Sequence, residues 1–380
     1  MKQGFVHEES RPKLTSIKKH APRGNQKFQP LPQPSGGSPY HLALEDVLSQ
    51  NEIQKIKDDG SIIFHCTGDT GGVKDPAPQQ LVANGIENTK ASFFYHLGDV
   101  VYYNGQSQEY YPQFYEPYQY YRNPIFAIPG NHDGDPLPGG NEDSLFAFNR
   151  NFCADPKDAK QPSPDAGEVN KSPMIQPSVY WSLLAPYVTI IGLYTNVPEG
   201  GEVHPDQISW FENELTSADE SKGLIVALHH PVFSMDQFHS GGQAMLDLLD
   251  NAFDKTGIIP DAVFTGHVHN YQRFTRTHAT GKKVPYIVAG AGGYWHLHWM
   301  QQGVTAMSLP EKVPDRDDVV LEKYCDDHHG FMSIQVKPKK IVGEYYIAPN
   351  PRDSWHASTT PNQFDSFEFG FQTPSKRHRR

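Results

Sequence analysis

Six short apolar runs, at 62–66, 92–97, 125–128, 188–193, 224–228 and 262–264, constrain this chain most, because each is apolar on both alternating faces. A strand of that kind belongs in the middle of a covered sheet. Helical signals fall between the runs. Ile208, Phe211 and Leu215 follow Asp206 as an expected N-cap, and Met245, Leu248, Leu249, Ala252 and Phe253 form an i, i+3, i+4 stripe ahead of Gly257. Later runs at 285–289, 331–336 and 341–347 leave no room for a helix between the last two, so an antiparallel hairpin over Lys337-Pro338-Lys339-Lys340 is expected. The alternation predicts an α/β (α+β) chain whose sheets are covered by helices.

Five of the six runs end in a short polar segment: Gly68-Asp69-Thr70-Gly71, Gly98-Asp99-Val100-Val101-Tyr102, Gly130-Asn131-His132-Asp133, His229-His230 and Gly266-His267-Val268-His269. Groups just beyond the carboxyl ends of strands converge on one crevice, so residues 200 positions apart in sequence can meet there. The segments offer oxygen and imidazole nitrogen and no thiolate, which suits hard to borderline ions such as Fe, Mn and Zn. Asp69 and Asp99 are candidate carboxylate ligands, with Asp99 the better bridge because it lies between the first and third segments. Asn131 offers an amide oxygen, and His229, His267 and His269 offer imidazoles. Two ions held this way would clamp a phosphoryl group and generate hydroxide at neutral pH.

In order and spacing, these segments resemble the motif blocks of the calcineurin-like metallophosphoesterase superfamily, D-x-[HG], G-D-x-x, G-N-H-[DE], H and G-H-x-H. The purple acid phosphatase branch is the closer likeness. Gly71 stands where the superfamily commonly has a histidine, and Tyr102, three residues after Asp99, stands where that branch has a tyrosine ligand. The resemblance implies a four-layer αββα sandwich of two mixed β-sheets flanked by helices. It also implies a dinuclear centre with Fe on one side and Zn, Mn or Fe on the other. Asp69, Tyr102 and His269 would hold the first ion and Asn131, His229 and His267 the second, with Asp99 between them. His132 would contact phosphate and assist the leaving group, Asp133 would orient its ring, and His239 would be a second substrate-facing histidine; His230 is a weaker candidate.

Domain limits follow from composition and this likeness: residues 1–55 as a largely extended N-terminal arm, 56–350 as the catalytic domain, and 351–380 as a C-terminal tail with a basic end. The arm is rich in Pro, Gly, Gln and Lys, and Phe364, Phe367, Phe369 and Phe371 in the tail offer docking points. A formal net charge of -11 gives no general attraction for nucleic acid, Lys376-Arg377-His378-Arg379-Arg380 being the local exception. No apolar run is long enough to span a bilayer, and Met1 to Glu8 lacks the apolar stretch of a secretory signal. Three widely spaced cysteines suit a reducing compartment, so a cytoplasmic protein is expected.

The expected activity is hydrolysis of phosphoric monoesters by a metal-bound hydroxide, on a phosphorylated small molecule. The alternatives are a phosphodiesterase acting on nucleotides or lipids and a metal-bearing, non-catalytic binding protein. His296 and His298 copy the H-x-H spacing, but the ligand positions are already filled, and they read as pocket lining or surface. Asp326-Asp327-His328-His329 reads as a turn, and Arg273 as either a contact for a substrate anion or half of a structural ion pair.

Overall fold

The computed structural model describes residues 15–18, 27–349 and 360–370. Two mixed sheets pack face to face. Across the first, the strands run Asn362–Gly370, Lys340–Ile347, Gly330–Lys337, Ile62–Thr67, Phe93–His96 and Ile125–Ala127, the last three mutually parallel. Nine strands make the second, in the order Glu311–Lys312, Val319–Cys325, Tyr271–Thr277, Lys283–Ala289, Ala262–Thr265, Gly223–Leu228, Val188–Leu193, Trp181–Ala185 and His41–Ala43.

Strand alternation assigns each apolar run to two cores at once. Phe64, Phe93, Tyr95, Ile225, Ala227 and Phe264 point between the sheets, while Phe94, Leu224, Val226, Leu228 and Val263 point outward. The outward faces are covered by helices. Val82 and Ile86 of the Ala77–Glu87 helix lie over the first sheet's side; Phe211 and Leu215 of Pro205–Ser217 join Met245, Leu249 and Phe253 of Gln243–Thr256 over the second. The result is the four-layer αββα arrangement the resemblance implied. The expected hairpin is also present, with Lys337 paired to Lys340 and Lys339 in the left-handed region.

Several expectations need correction. The Pro205–Ser217 helix is capped by His204, whose Nδ1 accepts from the Asp206 amide at 3.2 Å, because Pro205 takes the first helical position and Asp206 is thereby pushed inside. Residues 27–40 form neither helix nor strand and close with a turn at 38–39, but the arm does not reach 55. His41–Ala43 adds an edge strand to the nine-stranded sheet, and Gln50–Asp58 is a helix opened by a Ser49/Glu52 capping box. Leu42, Leu44, Ile53 and Ile56 are buried, enough apolar surface to hold this stretch on the body. The tail likewise contributes a strand, Asn362–Gly370, whose Asp365 takes both Arg273 and the Tyr271 hydroxyl, so Arg273 forms a structural pair rather than an anion contact. Phe371 and the basic end at 376–380 lie outside the described residues.

His65, fully buried on the Ile62–Thr67 strand, makes the fold sensitive to acid. Burial lowers it to about 3, with the Thr89 hydroxyl 2.9 Å from Nε2. An unfolded histidine titrates near 6.5, so this group's stabilisation is complete above that pH and is lost as pH falls toward 3, at about 1.4 kcal/mol per pH unit. His65→Gln should therefore flatten the decline of the urea midpoint between about pH 6 and pH 4. An unaltered slope would show that the folded His65 takes up a proton as readily as the unfolded one.

Candidate metal centre

Three parallel strands of one sheet and two of the other end at a common seam, and the five polar segments meet there. Asp69, Asp99 and Asn131 follow Ile62–Thr67, Phe93–His96 and Ile125–Ala127; His229 follows Gly223–Leu228, and His267 and His269 follow Ala262–Thr265. Three of these residues turn sharply, with φ of 57° at Asp69, 54° at Asp99 and 68° at His267. Left-handed backbone costs a non-glycine residue about 1–2 kcal/mol, a strain that clusters at functional sites. Gly98 makes the approach possible: at φ 96°, a Cβ there would meet the Gly130 nitrogen at 2.6 Å and His229 Nδ1 at 2.7 Å.

The donor atoms form two groups. In the first, Tyr102 Oη lies 3.3 Å from Asp69 Oδ1 and 3.3 Å from His269 Nε2, which are 3.6 Å from one another. In the second, Asn131 Oδ1 lies 3.1 Å from His229 Nε2 and 2.9 Å from His267 Nδ1. Asp99 acts on both, with Oδ2 3.4 Å from His229 Nε2 in the second and, on top of burial, its charge raising the Tyr102 phenol in the first. Ligands about 2.0–2.2 Å from a common ion stand roughly 3–3.5 Å apart, so these spacings fit cation coordination.

Four of the seven donors are aimed by a second hydrogen bond. Asp69 accepts the His267 amide on Oδ2 at 2.8 Å, and Asp99 accepts the His132 amide on Oδ1 at 2.9 Å, leaving their other oxygens for the centre. His229 donates Nδ1–H to the Leu97 carbonyl at 2.8 Å, and His269 donates Nδ1–H to the His296 carbonyl at 3.1 Å, so both present Nε2. His267 is turned the other way, with Nδ1 inward and Nε2 3.6 Å from Glu199 Oε1. Outer partners of this kind set tautomer and orientation in metal sites.

The electrostatics suit a cation. The charged groups acting on Asp69 and Asp99 are the neighbouring histidines and each other. Burial, reinforced by Asp99, pushes Asp69 well up. Burial works against ionisation of Asp99 too, yet His229 and His132 hold it well below the carboxylate range. His229, which burial alone would keep neutral, is raised to about 9 by Asp99 and Asp69, so protons compete with a cation for this pocket. Burial lowers His267 to about 4 and holds His269 well below the usual histidine range, which keeps both as lone-pair donors. An all-oxygen and nitrogen donor set around two buried carboxylates fits a pair of hard to borderline cations.

Gly71 and Tyr102 prove sterically linked. A Cβ on Gly71 would lie 2.7 Å from Tyr102 Cδ2 and 2.4 Å from Gln113 Oε1. The Tyr102 ring thus fills the space a histidine at 71 would need. Gln113 clamps the tyrosine, accepting the Tyr102 amide at 2.9 Å and donating to its carbonyl at 2.7 Å.

The remaining candidates divide. His132 lines the cavity, with Nδ1 2.8 Å from the Tyr103 carbonyl, while His239 lines it with Nδ1 2.8 Å from Glu199 Oε1. Asp133 does not orient His132. It is buried and accepts the Gly130, Val100 and Val101 amides at 2.8–3.2 Å, because its position as third residue of the Asn131–Gly134 turn directs it to the open amides of the Gly130 and Asp99 loops. Burial and nearby Asp99 raise it to about 7. His230 packs away from the cavity, its Nδ1 2.7 Å from the Thr195 hydroxyl. His296 and His298 line the cavity as expected, and His298 stacks on His239.

Glu199 was missed by sequence reasoning. It sits in Val197-Pro198-Glu199-Gly200-Gly201, beyond the Val188–Leu193 strand. An acidic residue in a Pro/Gly turn after a buried strand is the same signal as in the other segments.

Residues 63–271 match the sequence model of the calcineurin-like phosphoesterase family. The chain belongs to that family. Purple acid phosphatase 21 of Arabidopsis thaliana is 28% identical over 180 residues, 45% of this chain and 36% of the relative. Phosphoenolpyruvate phosphatase of Allium cepa is 27% identical over 229 residues, 56% of this chain and 42% of the relative. The chain thus spans less than half the length of these relatives. Its fold is shared with a purple acid phosphatase from yellow lupin seeds (TM-score 0.56, 16% identity, 82% of this chain and 54% of that one). It is shared equally with GAP50, the anchor in the inner membrane complex of Plasmodium (TM-score 0.55, 15% identity, 82% and 89%).

Gly71→Ala should displace Tyr102 or Gln113 and disturb the first donor group while sparing the second. Elemental analysis of metal-loaded protein is expected to fall from two ions per chain toward one, with a stability loss of about 1–3 kcal/mol. Two ions retained at wild-type affinity would show that Tyr102 is not needed there.

Proposed function

We propose that this chain hydrolyses phosphoric monoesters at a two-ion centre held by Asp69, Tyr102 and His269 on one side, Asn131, His229 and His267 on the other, and Asp99 between them. The observation that carries the reading is the convergence of these seven side chains, from five strand ends of two sheets, at ligand spacing. Bound cations would supply Lewis acidity toward the phosphoryl oxygens and toward the attacking water. The phenol of Tyr102 favours Fe(III) in the first position, with Zn, Mn or Fe(II) in the second.

The chain's own groups do the rest. His132, whose Nδ1–H is fixed on the Tyr103 carbonyl, keeps Nε2 as its free nitrogen in the cavity. As water attacks phosphorus and the ester P–O bond breaks, His132 delivers its Nε2 proton to the departing oxygen. His239, held by Glu199 through Nδ1, directs its other nitrogen to a phosphoryl oxygen. The names of the relatives, purple acid phosphatases and a phosphoenolpyruvate phosphatase, agree with a monoester substrate. Two other readings, a diesterase and a binding protein, are separated by one comparison: turnover of an aryl phosphate against a bis-aryl phosphate by metal-loaded protein. Preference for the diester, or turnover of neither, would overturn the proposal.

Asp99→Ala and His267→Ala should each lose bound metal by elemental analysis and lose activity with it; wild-type turnover by either after metal reconstitution would refute the ligand assignment. His132→Ala should keep its metal and slow by about 10²- to 10⁴-fold. That loss should shrink for esters with acidic leaving groups, which need no proton. An equal loss across leaving groups would assign His132 to phosphate binding alone.

A further inference from the structure

Among the described residues, six Phe, Tyr and Trp side chains are exposed, and four of them, Tyr103, Phe238, Trp295 and Trp299, gather at the mouth of the metal centre. Single exposed apolar residues are ordinary, but clustered ones mark a binding surface. The donor cavity adjoins a second one of about 490 Å³, with Trp295 and His296 lining both. Phe238 and Trp299 line the second cavity and remain 51% and 66% exposed. Lys74 already covers a face of Trp295, its Nζ 4.6 Å from the ring centroid, so Phe238 and Trp299 are the open rings.

These rings stand on fixed backbone. The Gln237 amide donates to the Trp299 carbonyl at 3.0 Å, and the Phe238 amide donates to Asp236 Oδ1 at 2.7 Å. The Met300 amide donates to Asp326 Oδ2 at 3.0 Å, and the His298 amide to the carbonyl of His269, itself in the first donor group, at 3.0 Å. The shelf is therefore tied to the centre at a set distance. Phe238 also reaches inward, its ring 5.0 Å from that of His298, which stacks on His239. An ester whose phosphoryl group sits among the donors must place its organic part outside them, and the cavity leads that part onto this shelf. Rigid aromatic rings held ready give affinity at little ordering cost.

We infer that the substrate's leaving group carries a planar aromatic ring that packs against Phe238 and Trp299, with His296 flooring the passage from the metal centre. The inference rests on the monoesterase reading above and narrows its substrate class. A stacked aromatic pair contributes about tenfold in affinity.

The test is the ratio of kcat/KM for 2-phenylethyl phosphate to that for ethyl phosphate, two alkyl esters that differ in the ring, measured on the full metal-loaded chain. The expected wild-type ratio is about tenfold or more. It should fall at least roughly fivefold in Trp299→Ala and in Phe238→Ala, and stay at the wild-type value in Phe146→Ala, which removes an exposed ring outside the cavity. A wild-type ratio near one, or an unchanged ratio in both shelf variants, overturns the aromatic assignment and leaves the monoesterase reading standing. Turnover of neither ester by the wild type overturns both.

Discussion

Two carboxylates, Asp69 and Asp99, are buried side by side in a low-dielectric seam, and the surrounding loops are arranged to hold them there. Isolated burial of either charge would cost several kcal/mol. Each gives one oxygen to the backbone amide of a different polar segment, Asp69 to His267 and Asp99 to His132, so the carboxylates also tie the segments together. The Asp69 bond crosses between the two sheets. Removing either acid would thus release a loop as well as a ligand, and the strained backbone at Asp69, Asp99 and His267 is tolerated because these bonds over-determine it.

Around that pair, packing and chemistry are difficult to separate. Tyr102 occupies the volume next to Gly71 and offers its oxygen to the first donor group, so one side chain fills space and presents a donor. Gln113 holds its backbone from the far side, and Gln79 donates in turn to the Gln113 carbonyl, carrying the support down to the helix over the first sheet. Asp133 shows the converse: it is a polar group next to His132 in sequence whose three bonds all go to backbone amides. Proximity in sequence placed it near the chemistry, but the unsatisfied amides of two loop turns claimed it.

The fold was legible where the physics is local. Every buried strand expected from a doubly apolar run is present within a residue or two, since such a run can be satisfied only in a covered sheet. Strands with mixed character were not legible. Tyr271–Thr277 carries arginines and threonines, and Asn362–Gly370 alternates polar and aromatic residues in what reads as a tail. Both are strands because neighbouring strands offer hydrogen bonds and because Asp365 of one sheet meets Arg273 and Tyr271 of the other, contacts between residues some 90 positions apart.

By itself, the sequence determined the donor inventory and its placement at strand ends: oxygen and imidazole ligands, glycines where the turns are tightest, and Tyr102 with Gly71 as an alternative to a histidine. These are properties of residue type and short spacing. Only the tertiary structure decided which nitrogen each histidine presents, that Glu199 holds His239 while Asp133 turns from His132 to backbone amides, and that Phe238, Trp295 and Trp299 open beside the centre. Those outcomes depend on where two sheets meet, and the meeting is set by long-range packing that no local pattern encodes.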